Sequence, residues 1–199
     1  MVSNRTERVA ELVNEYGQMV YATAYRILGS TDDAEDALQE VFLKVLGKWN
    51  HRLDPEAVQD WAAYLRVTAS RCAIDLLRKN RKRRQRNVEL SENIQDLYSE
   101  DPRRAAMQHQ KAALLRQALG RLPKREARVF ALRYFEDFSY ERIADHLGIK
   151  SGLVGVLLHQ ARGRLQKILE PLMAKDASLG RSSLFNPEET ERENRHVAG

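Results

Sequence analysis

The chain has 199 residues, 43% hydrophobic and 31% charged, with a formal net charge of +5 that permits nucleic acid as a partner. Ten glycines, five prolines and few β-branched runs disfavour strands, and the single cysteine, Cys72, excludes an internal disulfide and any multi-cysteine metal site. No apolar run approaches the roughly 18 residues of a membrane span and no signal peptide opens the chain, so a cytoplasmic protein without membrane insertion is expected.

A first helix is expected from Ser3 to Leu28, with Leu12, Tyr16, Val20, Ala24 and Ile27 among the apolar residues of one face. Gly29 stops it, and Ser30, Thr31 or Asp32 caps the next helix, whose first turn is acidic. That second helix, Asp33 to Leu46, turns Ala34, Ala37, Leu38, Val41 and Val45 inward. Between Thr31 and Leu43 it carries five acids and no base. A third helix runs from Glu56 to Arg83 on a stripe that includes Val58, Trp61, Leu65, Ala69, Cys72 and Leu76. It ends in RKNRKRRQR (78–86), where seven of nine residues are Lys or Arg. An acidic helix beside a basic run calls for two different partners.

Residues 87–104 lack a sustained period, hold a proline and are acidic, which is the composition of a linker. Helices are then expected from Ala105 to Arg121 and from Pro123 to Tyr134, ahead of SYERIADHLGIKSGLVGVLLHQARGRL (139–165). Ile143, Ala144 and Leu147 form one apolar stripe there; Leu153, Val154, Leu157 and Leu158 form another. Ala144, Gly148 and Val154 supply what a helix-turn-helix needs: a small residue at the crossing, a glycine free to take positive φ, and an apolar plug. The second helix of such a pair is the one offered to a major groove. The expected fold is all-α, two small helical domains at 1–86 and 105–174 joined by a flexible linker at 87–104. The second domain is a four-helix unit with a helix-turn-helix, and 175–199 is a disordered tail. The five histidines are scattered without ligand spacing, and no nucleophile–base pair or phosphate loop appears, so no enzyme, metal or cofactor site is expected.

Four segments in order, DAEDALQEVFLKVL (33–46), WAAYLRVTASRCAIDLLR (61–78), LPKREARVFALRYFEDFSYERIADHLGI (122–149) and ARGRL (161–165), resemble bacterial sigma factors of the extracytoplasmic-function group. The resemblance spans Arg8 to Leu169. It implies a non-catalytic subunit that binds core RNA polymerase, reads two promoter elements and opens the DNA between them, and it leaves room for an anti-sigma factor as a further partner. By that resemblance Asp36, Gln39, Glu40 and Phe42 dock on a basic coiled coil of the polymerase's largest subunit, with Leu43 or Leu46 sharing their face. Carboxylates supply charge-assisted bonds to arginine there, and the aromatic supplies a desolvated anchor.

The cations Arg81, Lys82, Arg83 and Arg84 exceed what a helix dipole can use, and phosphate is their natural partner. The resemblance implies that Asp75, Arg78 and their neighbours lie against the downstream promoter element. Tyr64 is the expected stacking aromatic and Trp61 is expected in the core; the resemblance further implies that the connection 48–57, including Trp49, holds a flipped base. Arg71 stands where the family often has asparagine, which changes base choice. In the recognition helix Leu153, Gly155 and Leu157 stand where the family commonly has threonine, lysine and arginine. Val154 and Leu157 are expected to be buried, and Gly155 and Val156 to face the groove as a weakened reader. Phosphate binding then falls to Lys150, Ser151, Arg162, Arg164 and Lys167, with His159 and Gln160 as base readers. Two rival readings are a helix-turn-helix regulator that acts without entering polymerase and a helical adaptor that has lost DNA binding.

Overall fold

The computed structural model describes residues 2–49, 58–86 and 102–175. Among these the secondary structure is helical throughout: α1 (Val2–Leu28), α2 (Thr31–Trp49), α3 (Trp61–Arg86), α4 (Pro102–Leu119), α5 (Lys124–Tyr134), α6 (Tyr140–Leu147) and α7 (Ser151–Lys175). Of the expected linker at 87–104, residues 87–101 lie outside the described residues, as does the tail beyond 175, whereas 102–104 are the first residues of α4, which starts at Pro102 and not at the expected Ala105.

Local chemistry sets the helix ends. Gly29 takes φ +65° and its N–H reaches the Tyr25 carbonyl at 2.7 Å, closing α1. Of the three candidate caps for α2, Ser30 serves: its hydroxyl accepts from the Asp33 N–H at 3.3 Å. α3 begins at Trp61, later than the expected Glu56, because the Asp60 carboxylate accepts from the Ala63 N–H at 2.8 Å. Ser139 caps α6 through the Arg142 N–H. Gly148 ends α6 in the left-handed region at φ +64°, as the helix-turn-helix pattern requires.

Helices α1–α3 form a first unit around Leu12, Val20, Val41, Phe42, Val45, Leu65, Ala69 and Cys72, all buried. Burial pushes the Cys72 thiol pKa up, while Lys44 Nζ stands 3.3 Å from its sulfur and pulls the other way. Helices α4–α7 form the second unit, in which Val154 and Leu158 of α7 plug against Phe138, Ile143 and Ala144. Buried Ala161, Leu165 and Leu169 continue the α7 stripe.

The two units share a core. Ala24, Ile27, Ala34, Ala37 and Ile74 of the first pack with Leu119, Leu122, Phe130, Leu165 and others of the second. Ala63 and Val67 of α3 join the helix-turn-helix cluster. α3 is thus buried on two faces and forms the spine between the units. Gly29 serves twice, since the Arg116 guanidinium of α4 packs into the space a Cβ would need.

Candidate nucleic-acid and partner interface

The acidic face of α2 points to solvent. Asp36 and Gln39 are exposed, Glu40 is half-buried and pairs with Lys44 at 2.6 Å, and Leu46 is half-buried. Phe42 does not lie on this face. It is 7% exposed and packs in the α1–α3 core, because it stands four residues after Leu38 and three before Val45 and so extends the buried stripe. The exposed apolar side chain is Leu43, at 67%. Beside this face runs an open groove of about 500 Å³ between α1 and α2, lined by Gly17, Gln18, Tyr21, Glu35, Leu38 and Gln39.

The basic end of α3 divides in two. Lys82 and Arg83 are exposed. The preceding turns face the second unit. Arg71 donates to the His146 carbonyl at 2.9 Å, and Asp75 takes Lys124 at 2.8 Å and Arg128 at 3.0 Å. Arg78 donates to the Leu122 carbonyl, and the Arg81 stem packs along Gly120. Nothing is described of the Arg84 side chain or the Trp49 side chain, and residues 50–57 lie outside the described residues. Tyr64 is half-buried, edge-on to Trp61 with centroids 5.6 Å apart, and its hydroxyl meets Lys48 Nζ at 3.4 Å. Trp61 packs against the core cluster from its edge.

Glu136 and its arginine partners were not singled out by sequence pattern, yet among the described residues they form the most buried ionic contact between the units. Glu136 lies in the α5–α6 turn with its side chain fully buried. One oxygen accepts from Arg26 at 2.6 Å; the other accepts from Arg66 at 3.1 Å and Thr23 at 3.1 Å. The turn is shaped by Asp137 at φ +55°, whose carboxylate pairs with Arg133 at 3.0 Å. Arg142 of α6 also reaches Asp60 at 2.9 Å, adding to the α3 cap. The one sequence signal was an acidic pair set among aromatics in YFEDF (134–138).

In the helix-turn-helix, Val154 is fully buried and Leu157 partly so. Leu153, expected in the buried stripe, is 40% exposed, one 100° step off the Val154–Leu158–Ala161 line. Gly155 points toward α6 and not into open solvent: a Cβ there would lie 3.6 Å from the Tyr140 ring. Val156 faces outward, at 50% exposure. Lys150, Ser151, His159, Gln160 and Lys167 are exposed, and Arg162 is half-buried. Arg164 is exposed but lies 3.1 Å from the buried Glu126 carboxylate, so one of its faces is already engaged.

Burial, then Arg142, push the His146 imidazole below its ordinary pKa of 6.5, with Arg71 adding and Asp60 and Asp145 opposing. A histidine held low when folded binds protons more readily once released. Its contribution to stability is therefore present above about pH 6.5 and lost as pH falls below it. The unfolding temperature should drop between pH 7.5 and 5.5, and His146→Gln should flatten that slope. An unchanged slope in the variant would assign the drop to other groups.

Two family descriptions match the chain: Sigma-70 region 2 over residues 12–83 and Sigma-70, region 4 over residues 112–165. The ECF RNA polymerase sigma factor SigE of Mycolicibacterium smegmatis is 33% identical over 161 residues, which is 80% of this chain and 60% of that protein's length. RNA polymerase sigma factor SigV of Bacillus subtilis is 31% identical over 149 residues, covering 75% of this chain and 83% of that one. ECF RNA polymerase sigma factor SigL of Mycobacterium tuberculosis is 31% identical, covering 81% of this chain and 88% of that one. Among solved structures, CnrH, in complex with the cytosolic domain of CnrY, shares the fold at a TM-score of 0.51 and 20% identity, covering 85% of this chain and 92% of that one. No helix among the described residues is long and apolar enough to cross a membrane. The chain belongs to the sigma-70 family, in the extracytoplasmic-function group of RNA polymerase sigma factors that direct promoter recognition and the initiation of transcription.

Proposed function

We propose that the chain works in the cytoplasm, without a catalytic site of its own, through three surfaces. The α2 face of Asp36, Gln39, Glu40 and Leu43, with Leu46 at its edge, docks on core RNA polymerase. The α3 end and Tyr64 meet the downstream promoter element, and α7 meets the upstream one. An anti-sigma factor would act by covering the first or second of these surfaces. The observation that carries the reading is the division of charge by surface. The exposed α2 face is acidic, whereas α7 has no acid from Ser151 to Leu169 and presents Arg162 and Lys167, with Lys150 just before it. Run-off transcription with purified core polymerase tests it: transcripts that start at a promoter only when the chain is added support it. DNA binding without transcripts would favour a regulator that never enters polymerase.

The closed packing adds a step to this function. Arg71, Asp75, Arg78 and Arg81 cannot meet DNA while the second unit covers them, so the units separate before promoter engagement. The contact is built to release. Among the described residues, the buried Nε–H groups of Arg71, Arg81, Arg116 and Arg128 and the Ser70 hydroxyl have no hydrogen-bond partner. Such orphaned groups cost about 1–3 kcal/mol each. Burial depresses the Arg71 guanidinium pKa, with nearby Arg128 second, and burial also depresses that of Arg116. These cations gain by moving to water or phosphate.

Lys82 and Arg83 are exposed even in the closed form. Replacing both by Gln should reduce the slope of log K against log salt for promoter duplex by about 1.8, about 0.9 per lost phosphate contact. Core polymerase binding should persist. An unaltered slope in a salt titration of holoenzyme on promoter DNA would make both residues mere solvated surface.

A further inference from the structure

The first turns of α7 present an unusual face for a helix that meets DNA. Its outward residues are Ser151, Gly152, Leu153 and Val156, followed by His159 and Gln160. Leu153 and Val156, three residues apart, form one exposed apolar patch, 40% and 50% exposed. The second unit does not need them there, since Val154 and Leu158 already fill its core from the same helix. Nor does packing require the neighbouring glycines. A Cβ at Gly152 or Gly163 would meet nothing within 4 Å, and neither glycine has a positive φ. Each weakens the helix relative to alanine. Bare glycine on an outward face does allow another surface to approach the helix backbone closely.

The charge around this patch selects its occupant. From Ser151 to Leu169 there is no acidic residue, and Lys150, Arg162 and Lys167 flank the face. A polyanion therefore fits, and an acid-free apolar face inside a major groove finds one apolar group at the base edges, the C5-methyl of thymine. We propose that Leu153 and Val156 are specificity-determining residues that read thymine methyl groups in the upstream promoter element, with Gly152 letting the helix seat deeply enough for contact. The patch is thus a reader of a different chemical kind, selecting T·A pairs by apolar contact in place of hydrogen bonds. This rests on the assignment of α7 to the upstream element.

The test uses holoenzyme reconstituted from the full chain and core polymerase. Upstream elements are enriched from a randomised duplex library. The enriched duplex is then prepared with thymine, with deoxyuridine in the upstream element, and with deoxyuridine only outside it. Deoxyuridine removes the methyl and keeps the pairing. Each methyl that is read should be worth about fourfold in affinity, the value of one buried methyl-sized group. Deoxyuridine outside the element should change nothing. The variant Leu153→Ala with Val156→Ala, altered only at exposed positions, should bind the thymine and deoxyuridine duplexes equally. Equal binding of both by the unaltered protein overturns the inference, as does methyl discrimination that survives in the variant. The same holds if the variant loses a protein partner but keeps its methyl discrimination, which would make the patch a protein-docking surface. Enrichment of no upstream element would overturn the assignment of α7 itself, whereas enrichment without methyl dependence would overturn only the thymine reading.

Discussion

Glu136→Ala is expected to open the molecule. The Glu136 carboxylate ties Thr23, Arg26 and Arg66 of the first unit to the α5–α6 turn of the second. Removing one partner of a buried ion pair costs about 3–5 kcal/mol when the other charge stays buried. Here the arginine side chains are 46% and 36% exposed and can rehydrate, so the loss is smaller, about 1–3 kcal/mol. That shifts the closed-to-open ratio by about fivefold to 150-fold. Small-angle scattering should report a larger radius of gyration, and promoter DNA should bind more tightly to the free variant. Glu136→Gln keeps shape and one acceptor and should fall between. The opposite truncation, Arg26→Ala with Arg66→Ala, should cost more, because it strands the carboxylate in the core. An unchanged radius in a folded Glu136→Ala protein would mean that apolar packing alone holds the units together.

Much of this architecture was legible in the chain because helices advertise themselves locally. The stripe on α1, the caps at Ser30 and Ser139, and the positive φ at Gly148 each follow from a few neighbouring residues. What a stripe cannot say is which element covers it. α3 shows this best: Leu65, Ala69 and Cys72 face α1 and α2, but Ala63, Val67, Ser70 and Ile74 form a second buried row at helical spacing. That second row was a signal for a second neighbour, and it was masked by the basic run that follows. Phe42 was misplaced for a similar reason, since an aromatic beside an acidic face reads as an anchor until α1 is seen to cover it. Leu153 erred the other way: four apolar residues in a span of six, at 153, 154, 157 and 158, cannot all fit one narrow stripe, and the outermost was left in solvent. Ionic contacts between distant segments, such as Glu136 with Arg26, have no local pattern that names the partner; the acidic pair among aromatics at 134–138 marks one end only.

Charge reversal on α2 should have the largest effect on function and little on the fold. Ala34 and Ala37 turn α2 inward to the shared core, so Asp36, Gln39 and Leu43 stay exposed while the units are closed. Polymerase can therefore dock on the closed molecule, and docking can precede the release of Arg71 and Arg78. Asp36→Arg with Glu40→Arg replaces two carboxylates by cations opposite a basic partner. Losing one member of a desolvated charge pair costs about 2–5 kcal/mol, and reversal adds repulsion, so affinity for core polymerase should fall at least a hundredfold. Within the chain, Glu40 gives up its 2.6 Å pair with Lys44. An exposed pair at that spacing is worth only about 0.3–0.5 kcal/mol, and the new like-charge pair costs a similar amount. The unfolding temperature should thus barely move. Leu43→Ala on the same face should weaken docking separately, by removing an exposed apolar contact without touching charge. Co-elution with core polymerase measures both. If the folded double variant co-elutes as the unaltered protein does, the docking surface lies elsewhere, and the acidic face of α2 is there for solvation alone.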